Sequence, residues 1–258
     1  MLFTIGPLKI TCFGVMAACG FLSASIMLFV NRKSRGISAD AINDLTLYSI
    51  VAGILGARIF YVIQFWPEYR DNYFQIFRVD QGGLVFYGGF FAALATLYIY
   101  SKMKKISFLG VIDLVAPCLA IGHAFGRIGC FLNGCCYGRP TTLPWGVEFP
   151  QSSFPFQAYP FEKLHPTQLY ESAFNFLLAI ALVIVLRKSK TKGITAATYL
   201  ITYGTGRFII EMFRGDNARF INLITISQFI GIILIAAGIY TFFISRKMNE
   251  SAKEPDAE

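Results

Sequence analysis

Four charged side chains stand in runs that are otherwise apolar: Arg127 in residues 123–138, and Arg207, Glu211 and Arg214 in residues 204–214. An uncompensated charge at membrane depth costs roughly 2.5–3.5 kcal/mol on insertion scales, so each of them needs a partner. Residues 207, 211 and 214 are four and three apart and share one helical face. On that run alone, a Glu211–arginine ion pair that clips helices together is a sufficient reading. Adding Arg127 sets three arginines against one nearby glutamate, and the surplus positive charge suits a phosphate. Arginine's planar fork also matches phosphate oxygens in pairs. The expected partner is therefore an anionic lipid headgroup.

Glycines surround these arginines at Gly122, Gly126, Gly129, Gly134, Gly138, Gly204 and Gly206. The Gly122/Gly126 pair has the small-xxx-small spacing of close helix packing. The others allow backbone to approach a ligand or a helix to break. Tyr87 lies in a similar setting, in the run 82–89 with paired glycines at each end.

The elements that must position these residues are membrane helices. Hydrophobic residues make up 55% of the 258-residue chain and charged ones 15%, too little polar surface to cover a soluble core. Apolar stretches of about 20 residues recur at 9–30, 45–66, 82–100, 107–131, 168–186, 194–213 and 223–244. The expected fold is all-α and polytopic, a single domain of seven transmembrane helices over residues 1–247, with residues 248–258 as a disordered cytoplasmic tail. Lys and Arg cluster at 32–35, 102–105, 187–192 and 246–253, which makes those loops cytoplasmic, puts the N-terminus outside and explains the net charge of +8. No basic segment interleaved with exposed aromatics points to nucleic acid. The first run lacks the basic flank and cleavage site of a signal peptide.

Two outer loops, 67–81 and 133–167, are rich in aromatics, Pro and Gly and should form a small interfacial cap. Within it, residues 145–149 and 154–159 are candidates for short strands. At ~1.5 Å per residue, Arg127 stands about 30 Å from the inner start of its helix. Arg207 and Glu211 stand roughly 20 and 26 Å across theirs. His165, Gln168 and Tyr87 fall at the same outer level, so the polar set converges on the outer leaflet.

These residues carry a resemblance over nearly the whole chain. Gly56-Ala57-Arg58, the run 82–89, Asp113 with Ala116-Pro117, Gly126-Arg127-Ile128-Gly129, His165 through Glu171, and Gly206-Arg207-Phe208 with Glu211 and Arg214 together resemble the prolipoprotein diacylglyceryl transferases. The resemblance implies an enzyme of the bacterial inner membrane. It would transfer the diacylglyceryl group of phosphatidylglycerol to the lipobox cysteine of a prolipoprotein, with glycerol phosphate leaving. Arg127 and Arg207 would hold the phosphate, Glu211 would orient an arginine, and Arg214, Asn133, Gly138 and Arg58 would complete substrate binding. No metal or organic cofactor is implied. Tyr87 stands where the family has a histidine proposed as base, Phe13 where it has a tyrosine, and Cys130 and Cys135 where it has asparagine and glutamate. A phenol of ordinary pKa ~10 is a poor base near neutrality, which leaves His165, solvent or the substrate's own thiolate as alternatives to Tyr87.

Cys130, Cys135 and Cys136 cluster beside Arg127, open to readings as a disulfide, a metal site or packing. The cluster lacks the C-x₂-C and His spacing of zinc sites. Cys12, Cys19 and Cys118 read as small core residues. Two other functions fit the same residues: a repurposed member of the fold that binds anionic phospholipid without turnover, and an anion transporter. A transporter would need polar groups reaching both faces.

Overall fold

The computed structural model describes residues 3–5, 8–70, 72–78, 82–216, 219–220 and 224–251. Among these, seven long helices follow one another: α1 (Cys12–Asn31), α2 (Ala39–Gln64), α3 (Phe86–Met103), α4 (Phe108–Asn133), α6 (Thr167–Lys188), α7 (Ile194–Glu211) and α8 (Ile226–Ser251), with a short α5 (Phe154–Ala158) between α4 and α6. Each long helix overlaps one of the seven apolar stretches. Five of them, α1, α2, α4, α6 and α8, are long and apolar enough to cross a membrane, with mean hydropathy between 1.7 and 2.1. Large side chains on them, such as Phe21, Leu22, Ile26, Ile63, Leu177 and Ile232, stay exposed. On a water-soluble protein such surface would be a liability; against lipid it is the expected outer face.

Helix boundaries shift from expectation for local reasons. α1 starts at Cys12 rather than residue 9, because Phe3–Ile5 (β1) and Leu8–Ile10 (β2) pair as an antiparallel hairpin. α2 starts six residues early, where the Ser38 hydroxyl accepts from the Ala41 N–H at 3.2 Å. α3 starts late, since Gly82 and Gly83 adopt left-handed φ of +86° and +75°. Met248–Ser251, expected in an unstructured tail, continue α8, and residues 252–258 lie outside the described residues. In the cap, Val147 bridges Leu164 as expected of a short strand, but residues 154–158 form a helical turn started by the Ser153 hydroxyl.

The chain divides into two compact units, residues 32–112 and residues 1–31 with 113–258. In the first, α2 and α3 pack through glycines: a Cβ on Gly56 would lie 2.6 Å from the Gly88 carbonyl oxygen, and one on Gly88 2.5 Å from that of Gly56. The second unit holds the core of Ala120, Leu178, Ala179 and Leu182, with Met27, Phe174, Tyr199 and Tyr203 packed around it. There Gly204 of α7 and Gly231 of α8 face each other's carbonyls at 2.7 and 3.0 Å. Gly122 and Gly129 of α4, not the Gly122/Gly126 pair, carry the contact with α1, against Gly20 and Phe13; a Cβ on Gly126 would meet open space. Buried Asp113 accepts the N–H groups of Gly193 and Ala196, both at 2.8 Å, and so caps the start of α7.

Candidate active site

Four helix ends meet at one end of the second unit: the last turns of α4 and α7 and the first turns of α6 and α8. At their centre is Glu171, 2% exposed and one turn into α6. Arg127 Nε lies 3.0 Å from Glu171 Oε2, His123 Nε2 3.1 Å from Oε1, and Arg207 Nη1 3.5 Å from Oε2. Arg207 Nη2 turns to Glu211 Oε2 at 2.8 Å and donates to Ser227 Oγ at 2.9 Å. The Thr225 hydroxyl donates to Glu211 Oε1 at 2.8 Å.

The histidine has three polar neighbours. Its Nε2 lies 3.0 Å from Arg127 Nε as well as 3.1 Å from Glu171, and its Nδ1 lies 3.3 Å from the Tyr203 hydroxyl. With the proton on Nδ1, Nε2 accepts from Arg127. Once Nε2 is also protonated, it donates to Glu171, so the imidazolium has an acceptor at each nitrogen. The His123 side chain keeps 26% exposure against 2% for Glu171.

The count of one glutamate for three arginines is corrected by this geometry. Arg214 Nε and Nη2 donate to the two carboxylate oxygens of Asp216 at 2.9 Å each. Three guanidinium groups therefore face three carboxylates, Glu171, Glu211 and Asp216. Their donors are not equally committed. Both contacts of Arg127 run through Nε, so among the described residues its terminal amino groups are unused. Glu171 and His123 were the residues sequence reasoning missed. The signal was present: the cost argument used for the arginines applies equally to a carboxylate five residues into an apolar helix.

Other expected site residues are placed differently. His165 lies in the cap, where its Nδ1 meets the Tyr170 hydroxyl at 3.1 Å and its ring packs on Phe213; among the described residues its side chain touches none of Arg127, Glu171 and Arg207. Burial lowers its pKa below the ordinary value. Arg58 donates four of its five N–H groups to the carbonyls of Gln75, Ile76, Gly82 and Gly83 at 2.6–3.1 Å. These bonds pin the loop after α2 to that helix. Tyr87 is exposed in the first turn of α3, in the other unit.

Asn133 ends α4 and is exposed. Gly138 is buried where three backbone segments cross, and a Cβ there would come within 2.5 Å of His165 and 2.9 Å of the Phe213 oxygen. Its N–H donates to the His165 carbonyl at 3.0 Å. Arg214 joins the same crossing, bridging to Gly138 and accepting from Arg139 Nε at its carbonyl. All six cysteines are free thiols. Hydrogen bonds from Cys130 and Cys135, then the charges of Arg214 and Arg127, hold the Cys136 thiol well below its usual pKa.

The full-chain comparisons agree in direction. A family model described as prolipoprotein diacylglyceryl transferase matches residues 1–244. A phosphatidylglycerol–prolipoprotein diacylglyceryl transferase of Clostridium tetani is 41% identical over 247 residues, covering 95% of this chain and 97% of that protein. Two further proteins named for that activity, the second such transferase of Clostridium perfringens and one of Clostridium botulinum, are each 36% identical over 93% of this chain, which covers 92% and 94% of their lengths.

Proposed function

The chain belongs to the prolipoprotein diacylglyceryl transferase family, and from that membership we propose that it moves the diacylglyceryl group of phosphatidylglycerol onto the lipobox cysteine of a prolipoprotein. The observation that carries the assignment of the site is the cluster of Arg127, Arg207 and His123 gathered around the buried Glu171 carboxylate. The thiol gives its proton to His123 Nε2, and Glu171 receives the new N–H. Sulfur bonds to the glyceryl carbon while the carbon–oxygen bond to phosphate breaks, and the electron pair leaves on glycerol phosphate.

Charge balance has a role in this step. The paired site is close to neutral at rest, which spares it the cost of unpaired arginines in lipid. Proton transfer to His123 raises its charge by one as the phosphate gains negative charge. The unused terminal nitrogens of Arg127 and the loosely held Nη1 of Arg207 are the donors for that phosphate, pre-set so that little reorganisation is needed. Arg214, tied to Asp216 and the cap backbone, acts as a structural pin. A cap cleft lined by Phe149, Pro155, Phe156, Tyr159 and Phe161 is the surface for the lipobox peptide.

Our proposed topology needs all seven long helices to cross the membrane. α3 and α7, 18 residues each, span ~27 Å, close to the hydrocarbon thickness of about 30 Å. With seven crossings and the basic loops on the cytoplasmic side of the bacterial plasma membrane, the arginine cluster would lie in the outer leaflet. The test is purified protein in detergent with phosphatidylglycerol and a lipobox peptide, following glycerol phosphate release and the peptide's mass gain. A Cys→Ser peptide is the control. Tight lipid binding without thiol-dependent transfer would overturn the enzymatic reading in favour of a repurposed lipid-binding protein.

A further inference from the structure

Cys130, Cys135 and Cys136 have no part in the reaction derived above, yet their sulfur atoms all lie within 4.8 Å of one another. Cys130 is in the last turn of α4, and the other two are in the turn that follows. The turn is held from several sides. Gly134 and Cys136 adopt left-handed φ of +67° and +62°, a conformation that costs a non-glycine residue roughly 1 kcal/mol. The Cys135 N–H donates to the Cys130 carbonyl at 3.1 Å. The Cys135 carbonyl accepts from Gln168 Nε2 at 2.8 Å, and the Cys136 carbonyl from Thr167 Oγ1 at 2.9 Å. Both donors are fully buried at the start of α6. Simple core filling calls for neither a left-handed cysteine nor three converging, half-exposed sulfurs.

The dimensions suit a thiophilic ion. Metal–sulfur bonds of ~2.3 Å place sulfurs roughly 3.8–4.0 Å apart in tetrahedral or trigonal geometry. An all-sulfur donor set excludes hard ions such as Mg²⁺ and Ca²⁺ and selects soft ones. Three thiolates on a divalent ion leave one net negative charge, and Arg127 lies one turn before Cys130 on the same helical face. We propose that Cys130, Cys135 and Cys136 form a three-thiolate site for one d¹⁰ cation, Zn(II) or Cu(I), clamping the end of α4 to the turn that leads into the cap. Three ligands complete a trigonal Cu(I) site and leave Zn(II) one open position. The proposal stands on the sulfur geometry and is independent of the transferase reading.

The test uses the full chain in detergent, reduced, freed of metal and kept anaerobic. Cd(II), the spectroscopic stand-in for Zn(II), is titrated in one arm and Cu(I) in another. The expected result is an ultraviolet sulfur-to-metal charge-transfer band that saturates at one equivalent with the intensity of three thiolates. Bound metal should shield these three cysteines from alkylation, read by peptide mass, relative to the same cysteines in the metal-free protein. A band with Cd(II) that Zn(II) displaces assigns Zn(II); saturation by Cu(I) alone assigns Cu(I).

C135S and C136S should each reduce the band to two thiolates and weaken binding by at least about tenfold, since even outer partners of metal ligands contribute that much. C118S should leave it unchanged. Helical circular dichroism on each variant checks the fold, and the shielding experiment on the unaltered chain stands without them. Absence of a band, a band that survives both substitutions, or a disulfide between any two of the three in protein isolated without reductant would each overturn the proposal.

Discussion

Arg127 and His123 are one helical turn apart on α4, and each meets a different oxygen of Glu171. Their separate roles make separable predictions. Arg127→Ala removes donors aimed at the leaving phosphate and should lower the rate of transfer by about 10²–10³-fold, the usual loss for one pre-set donor to developing charge. Helicity and detergent-solubilised yield should be unchanged. His123→Gln removes the proton acceptor and should cost roughly 10²–10⁴-fold. Unchanged turnover in His123→Gln would remove it from the mechanism, leaving the phosphate assignment to Arg127→Ala.

Single elements are held by contacts remote from the chemistry. Asp113 caps α7 from within α4, so Asp113→Ala leaves two buried N–H groups unpaired. A loss of about 1–3 kcal/mol is expected, read as a lowered thermal midpoint. The cap carries a different sensitivity. Burial holds the His165 pKa down, so its neutral form is favoured in the folded state. That contribution is complete above the ordinary histidine value of ~6.5 and is lost as pH falls through the lower, folded value. Thermal midpoints measured at pH 7 and pH 5 should therefore drop further for the wild type than for His165→Gln. An equal drop in both would show that His165 titrates as if exposed.

For the whole molecule, the decisive quantity is which side of the membrane each end of the helices reaches. An epitope tag after Glu258 should be protected from protease in intact spheroplasts, and one inserted between Gln151 and Ser152 should be accessible. The opposite pattern would invert the topology and place the arginine cluster in the inner leaflet. Lipid-facing residues such as Ile26 and Ile232 require the bilayer in either orientation, because their exposure has no favourable counterpart in water.

The sequence alone was enough to locate seven long helices, five of them apolar enough to cross a membrane, and to mark Arg127, Arg207, Glu211 and Arg214 as charges in need of partners, because helix length and hydropathy are local properties and a charge in an apolar run is visible without coordinates. It could not give the charge balance. Glu171 becomes the partner of Arg127 and Arg207 only when α6 folds against α4 and α7, and a carboxylate 44 residues from the one and 36 from the other cannot be matched to them by spacing, whereas Asp216 lies only two residues from Arg214. Nor could it separate Arg58, whose donors are taken by carbonyls up to 25 residues away, from an arginine with donors to spare. From the sequence, His165 was one alternative to Tyr87 as base, beside solvent and the substrate's own thiolate. Tertiary packing instead brought His123 to the carboxylate, since an ion pair or a proton relay depends on the distance between side chains on different helices, which only their packing sets.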